Sequence, residues 1–258
     1  MASHFTFTCD AFLDGRVRLR QPRAGFRSGL DAVFLAAACP AQAGDHVLEA
    51  GCGAGAASLC LQARVPNTKV TGVEIDPGLA ALACENAAAN GMTERFESVA
   101  ADVTASWSEL HAAGLRPDTY DHVIANPPFF SHGRSRPAKD RGNARARAMP
   151  EGELEAWLRF LAASAKPSGT CTVIHTAEAL PELLLAFERR FGDLRITPLY
   201  PKADAPAIRV IIRGIKGSRA PVAITPGIIL HEQDGAPTAA ARAILRDGCA
   251  LFNTPHGK

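Results

Sequence analysis

Short apolar runs alternate with longer stretches of helical spacing along most of this chain. Val47-Leu48-Glu49-Ala50 reads as a buried parallel strand, because its apolar residues are nearly consecutive rather than alternating. Residues 70–74, 96–101 and 120–125 read as three more strands, and the small and apolar residues 56–64 suit a helix packed on a sheet. Asp76 and Pro77 form an N-cap and first-turn pair for a helix running to Asn90, with Gly91 as its stop. Pro150, Glu151 and Glu153 open another helix, which carries Leu154, Trp157, Leu158 and Leu161 at helical spacing. Trp157 is therefore expected in the core. Strands follow at 171–175, 194–199 and 207–215, with a helix over 181–190 and a last one capped by Thr238. Near the start, Asp14-Gly15 between Phe12-Leu13 and Arg16-Val17 signals a hairpin turn. The alternation predicts an α/β fold with a mostly parallel sheet, helices on both faces, and ligands at the strands' carboxyl ends.

Four of those carboxyl ends carry chemistry. Gly51-Cys52-Gly53-Ala54-Gly55 follows the 47–50 strand at once, and such glycines let the backbone approach a ligand and present amides near a helix N-terminus. Gly51, Gly53 and Ala56 also satisfy the dinucleotide pattern, so the loop points to a nucleoside-containing ligand without choosing one. Glu74 ends the second strand, where a carboxylate can accept hydrogen bonds from both ribose hydroxyls. Glu49, Glu74 and Asp102 lie at the ends of three successive strands, a ring of acids that suits a neutral or cationic ligand and repels a pyrophosphate. After the 120–125 strand comes Asn126-Pro127-Pro128-Phe129. The Asn126 side-chain oxygen and the Pro127 carbonyl can both accept from an NH2 group, while Phe129 can stack on a flat ring.

Together these motifs resemble the class I S-adenosylmethionine-dependent methyltransferases, with a Rossmann-like, seven-stranded, mostly parallel sheet. More narrowly they resemble the bacterial adenine-N6 methyltransferases that modify a valine tRNA beside its anticodon. The likeness also runs through residues 10–17, residues 21–35 and Ile229-Leu230-His231-Glu232-Gln233-Asp234-Gly235. It implies S-adenosylmethionine as cofactor, held by Glu49, Gly51, Gly53, Gly55, Glu74, Ile75, Asp102, Val103 and Asn126. In such a site Glu49 would lie near the amino acid moiety and Asp102 would receive the adenine amino group. Asn126, Pro127 and Phe129 would serve catalysis, and Phe130 would assist stacking or pack as pocket wall. Residues 1–45 would form a hairpin and helix covering the cofactor site, and residues 46–258 the methyltransferase domain. Arg27 and Asp31 flank the segment that resembles the family's lid. The same acceptor motif also serves protein-glutamine, rRNA and DNA-adenine methylation, so those substrates stand as alternatives. Protein-glutamine enzymes usually carry a helical domain ahead of the cofactor domain, which residues 1–45 do not resemble. A non-catalytic RNA-binding protein with a vestigial cofactor fold is a rival of another class, opposed by the filled catalytic positions. A nicotinamide oxidoreductase would leave the Asn-Pro-Pro-Phe motif unexplained.

Composition narrows the setting. A chain of 258 residues can bury roughly three quarters of its unfolded surface without metal or disulfide staples. Its seven cysteines, Cys9, Cys39, Cys52, Cys60, Cys84, Cys171 and Cys249, are scattered and lack a C-x-x-C pair, which fits reduced thiols and no metal. There is no apolar run of about 18 residues and no basic-then-apolar leader, so a cytoplasmic protein away from membranes is expected. A net charge of +2 is too mild to imply nucleic acid by itself. Its distribution says more: Arg134, Arg136, Lys139, Arg141, Arg145 and Arg147 follow the Pro-Pro turn with Asp140 as the one acid among them. That stretch reads as a flexible basic loop whose contacts with RNA phosphates would be salt-sensitive. Arg16, Arg18 and Arg20 alternate with Val17 and Leu19, so the hairpin is either a half-buried strand pair or an RNA-facing ribbon. Nothing in the pattern sets the oligomeric state.

Overall fold

A computed structural model of the chain describes residues 6–129 and 152–252. A two-stranded antiparallel hairpin, β1 (Phe7–Phe12) and β2 (Val17–Pro22), leads into helix α1 (Leu30–Ala38). Then come β3 (His46–Ala50), α2 (Ala56–Arg64), β4 (Lys69–Glu74), α3 (Pro77–Ala89) and β5 (Phe96–Ala100). The chain continues through α4 (Trp107–Ala112), β6 (Tyr120–Ala125), α5 (Glu153–Ser164), β7 (Ala165–Thr176) and α6 (Leu180–Glu188). It closes with β8 (Phe191–Tyr200), β9 (Arg209–Lys216), the short β10 (Ala223–Ile224) and β11 (Ile228–Ile229), and α7 (Ala239–Leu245).

The seven long strands after the hairpin make one sheet in the order β8-β9-β7-β6-β3-β4-β5. All neighbours pair in parallel except β9, which runs antiparallel to both β7 and β8. Where seven strands are expected the sheet has nine, because β10 and β11 each add two residues to the outer side of β8. The chain moves outward from β3 to β4 and β5, then returns to β6 on the other side of β3. The crevice at such a reversal, outside the strands' carboxyl ends, is where open α/β sheets bind ligands.

Side chains alternate between the two faces, and each face has its own apolar cluster. On β6, Ile124 joins the cluster of α1, α2 and α3, while Val123 and Ala125 join that of α4, α5 and α6. Helix α1 is buried from Ala32 to Ala38, and Arg64 of α2 donates to its Ala36 and Cys39 carbonyls, at 3.0 and 2.6 Å. The hairpin belongs to the same cluster through Leu13, Val17 and Leu19. Of its arginines, Arg16 donates to the Leu13 and Arg246 carbonyls and Arg20 pairs with Glu85, while Arg18 faces outward and exposed. Past β2, Arg27 pairs with Asp10. The strand pair is half-buried, with its basic residues on the outer face.

Among the described residues, no helix is long and apolar enough to cross a membrane. Helix α4 was not expected; it buries only Leu110, too little for a periodic signal, and is held by a capping box between Ser106 and Glu109.

Candidate active site

The glycine loop and the Asn-Pro-Pro-Phe motif leave the sheet side by side, because β3 and β6 are neighbours with Ala50 opposite Ala125. The loop turns through left-handed backbone at Gly51, Gly53 and Gly55, with φ of 67°, 54° and 90°. Its hand is set by close packing as well, since a Cβ on Gly51 would lie 2.6 Å from the Trp157 ring of α5. A Cβ on Gly53 would meet nothing within 4 Å, so that side of the loop is open. That combination, support behind and room in front, fits a nucleoside ligand laid on the loop.

Three acids border it. Glu74 ends β4, and its two oxygens accept from the Gly53 and Asp76 amides at 2.8 and 3.0 Å, so it shapes the loop directly. Burial raises its carboxyl above the usual range. Glu49 is 4 % exposed and accepts from the Ser58 amide at 2.9 Å and from the Ser58 hydroxyl. Burial pushes the Glu49 carboxyl up to about 7 despite those bonds. Asp102 follows β5, and one of its oxygens takes both the Thr104 amide at 2.8 Å and the Thr104 hydroxyl at 2.7 Å. Ile75, next to Glu74, is 66 % exposed, an apolar surface at the crevice's edge, whereas Val103 packs into the core.

The acceptor shelf holds an unspent hydrogen-bond acceptor. Asn126 Oδ1 is buried with no partner among the described residues, which costs free energy unless a ligand donates to it. Behind the shelf stands His175 at the end of β7, fully buried. Its Nδ1 accepts from the Thr176 amide at 2.9 Å, so Nε2 carries the proton and donates to the Pro128 carbonyl at 3.3 Å. Burial pulls its pKa down to about 4, keeping the ring neutral. The Phe129 and His175 rings meet at 77° with centroids 5.1 Å apart. Arg209 of β9 lies over Phe129, 4.7 Å from the ring centroid, and its Nε is bonded to both oxygens of Asp31, at 3.2 and 3.0 Å.

Of the expected site residues, then, the structure brings Glu49, Gly51, Gly53, Gly55, Glu74, Ile75, Asp102, Asn126, Pro127 and Phe129 to one edge of the sheet. Phe130, Arg134, Arg136, Lys139, Arg141, Arg145 and Arg147 lie outside the described residues. Sequence reasoning passed over Ser58, Asn86 and Arg209. Asn86 had a signal: an amide inside a mostly apolar helix, here buried with its Nδ2 on the Ala54 carbonyl of the loop and on the Arg20 carbonyl of the hairpin.

Residues 29–152 match the family model of the methyltransferase small domain. A tRNA1(Val) (adenine(37)-N6)-methyltransferase of Porphyromonas gingivalis is 32% identical over 73% of this chain and 74% of its own length. The enzyme of the same name from Aeromonas hydrophila is 31% identical over 83% and 86%. A crystal structure from Agrobacterium tumefaciens, titled as a predicted O-methyltransferase, is 28% identical, with a TM-score of 0.73 over 87% of this chain and 100% of its own. A S-adenosylmethionine-dependent O-methyltransferase of Thermotoga maritima shares the fold, with a TM-score of 0.53, at 17% identity over 76% of this chain and 68% of its own. By the length and level of these matches, the chain belongs to the S-adenosylmethionine-dependent methyltransferase family of the tRNA1(Val) (adenine(37)-N6)-methyltransferases.

Proposed function

We propose that this enzyme methylates the exocyclic N6 of an adenine in tRNA near the anticodon, with Asn126, Pro127 and Phe129 as its acceptor site. The observation that carries this reading is Asn126 Oδ1, buried and without a partner among the described residues, at the carboxyl end of β6 beside the glycine loop. S-adenosylmethionine, when bound, supplies an electrophilic methyl group. Glu74 would accept from its ribose hydroxyls, Glu49 would face its amino acid end, Asp102 would receive its adenine amino group, and Ile75 would flank the ring with Val103 packed in the core behind it.

The chain's own task is then to prepare a poor nucleophile. An adenine amino nitrogen shares its lone pair with the ring. Donating both its hydrogens, to Asn126 Oδ1 and to the Pro127 carbonyl, favours a pyramidal nitrogen with its lone pair free to attack. No strong base is needed, because the proton leaves after the nitrogen has become cationic. Neutral His175, its Nε2 proton committed to Pro128, is not placed to take it. Phe129 would stack on the extruded base and offset part of the unstacking cost of a few kcal/mol. Alignment of this kind can supply on the order of 7–11 kcal/mol. Residues 1–45 would cover the cofactor site and residues 46–258 carry catalysis, with tRNA as partner in the cytoplasm.

The test is methyl transfer from labelled S-adenosylmethionine to unmodified total tRNA, read by nucleoside mass spectrometry. N6-methyladenosine is expected with the native protein. Asn126→Ala should lose about a hundred-fold or more in turnover while still binding cofactor. Unchanged turnover in that variant would sink the mechanism. Label in protein would move the acceptor to a glutamine amide, and a 2′-O-methyl nucleoside would align this chain with the oxygen-methylating neighbours.

A further inference from the structure

We infer that Arg209, held by Asp31, is a positioning residue that sets the Phe129 ring against which the acceptor group is placed. The inference rests on the shelf reading above. It starts from an oddity of charge: the crevice is bordered by Glu49, Glu74 and Asp102, yet a guanidinium sits at the acceptor end. Arg209 is placed there by the sheet, since β9 runs antiparallel to β7 and pairs Arg209 with Thr176, one residue past the buried His175. Its plane has little freedom. Nε bonds both oxygens of Asp31, Nη1 donates to the Ile208 carbonyl at 3.1 Å, and the side chains of Arg209 and Asp31 are only 25% and 15% exposed.

A pinned guanidinium 4.7 Å from the Phe129 centroid is attracted to the ring's electron-rich face. His175 meets the same ring at 77° and holds the neighbouring Pro128 carbonyl. Phe129 is thereby fixed from two strands, β7 and β9, while its own backbone follows β6. Asp31 comes from α1, so this ion pair links the N-terminal segment to the acceptor end. Neutralised by Asp31, the guanidinium contributes shape and ring attraction without adding net charge beside a nitrogen that becomes cationic during transfer. A rigid ring presents the acceptor in one orientation, and rigidity of that kind acts on turnover rather than on cofactor binding.

The experiment is a double-mutant cycle on Asp31 and Arg209, measured on whichever acceptor the native protein labels. Arg209→Ala should lower kcat about ten-fold, with cofactor Kd and Tm near native values. Arg209→Lys should recover part of that loss. Asp31→Asn should move kcat the same way, and Asp31→Asn with Arg209→Ala should be no worse than Arg209→Ala alone. A substrate-free readout runs beside it: 4-fluorophenylalanine at position 129, whose 19F resonance should shift in Arg209→Ala and, by a smaller amount, in Asp31→Asn. Additive losses, a loss confined to cofactor Kd, a loss that follows Tm, or an unmoved resonance would each overturn the inference. If the native protein labels something other than tRNA adenine, the substrate reading fails by itself, and the cycle on that acceptor still decides the role of Arg209.

Discussion

Glu49 is the residue whose chemistry depends most on its surroundings. Its carboxylate has lost water and gained two Ser58 bonds, and the loss wins, leaving the carboxyl at about 7. A cationic ligand brought beside it favours the ionised form, so cofactor binding should release protons. The affinity for S-adenosylmethionine is therefore expected to rise with pH through about 7. Glu49→Gln should flatten that rise and weaken binding about ten-fold at pH 8, both measurable by calorimetry in buffers of different ionisation heat. A pH-independent affinity in the native protein would remove Glu49 from the cofactor's charged end. That an acid stood at this spot was legible in the sequence, because two residues before a glycine loop is a fixed position. That Ser58 holds it was not, because the pair is joined only once α2 turns back over β3. Arg209 was invisible for a stronger reason: its partners Asp31 and Phe129 lie far away in the chain, and only strand order brings them together.

At the scale of elements, the N-terminal hairpin and the glycine loop are tied through one helix. Asn86 of α3 takes the Arg20 amide on Oδ1 at 2.9 Å and gives Nδ2 to the Arg20 carbonyl at 3.0 Å and the Ala54 carbonyl at 2.9 Å. Asn90, one turn later, makes the same two-way bond to Arg18, at 2.9 and 2.7 Å. The edge of β2 opposite β1 is thus bonded by two side-chain amides rather than by a further strand. Asn86→Ala takes the partner from the Arg20 amide and from the Arg20 and Ala54 carbonyls and should cost about 1–3 kcal/mol in urea unfolding. Because one of those carbonyls belongs to the loop, cofactor affinity should fall too, whereas Asn90→Ala should affect stability alone. Equal effects on affinity would mean the hairpin, not Asn86, supports the loop. The long helices and central strands could be read in advance, since each buries a full apolar face. The start of β7 could not, because Pro167, Ser168 and Gly169 read as a turn; there the register slips between Tyr120 and His122, and Lys166 bonds Asp121 at 2.7 Å. Strands β10 and β11 are too short to carry any pattern.

The molecule as a whole balances two opposed sets of buried ionisable groups. Folding raises Glu49 to about 7 and also raises Glu74 and Glu153, chiefly through burial. It lowers His175 to about 4 and also lowers His46 and His122, again chiefly through burial. For a raised carboxyl, the folded state keeps a proton that the unfolded chain has released, so stability grows as pH falls from about 7 towards 4.5. For a lowered histidine, the unfolded chain takes a proton that the folded state refuses, so stability shrinks as pH falls from 6.5 towards about 4. Shifts of the size seen at Glu49 and His175 are each worth on the order of 3 kcal/mol, and their windows overlap for most of their span. The native protein should accordingly show a nearly level Tm between pH 6.5 and 4.5. Glu49→Gln weakens the carboxyl side of that balance, and its Tm should drop as the buffer is acidified across that range. His175→Gln weakens the histidine side and should gain Tm on acidification, even if its Tm at pH 7 is lower. Parallel pH profiles for the three proteins would show that these groups titrate alike in the folded and unfolded chain, which their burial forbids. The two residues lie at the ends of β3 and β7, the strands on either side of β6, so the groups that level the acid response flank the Asn-Pro-Pro-Phe motif.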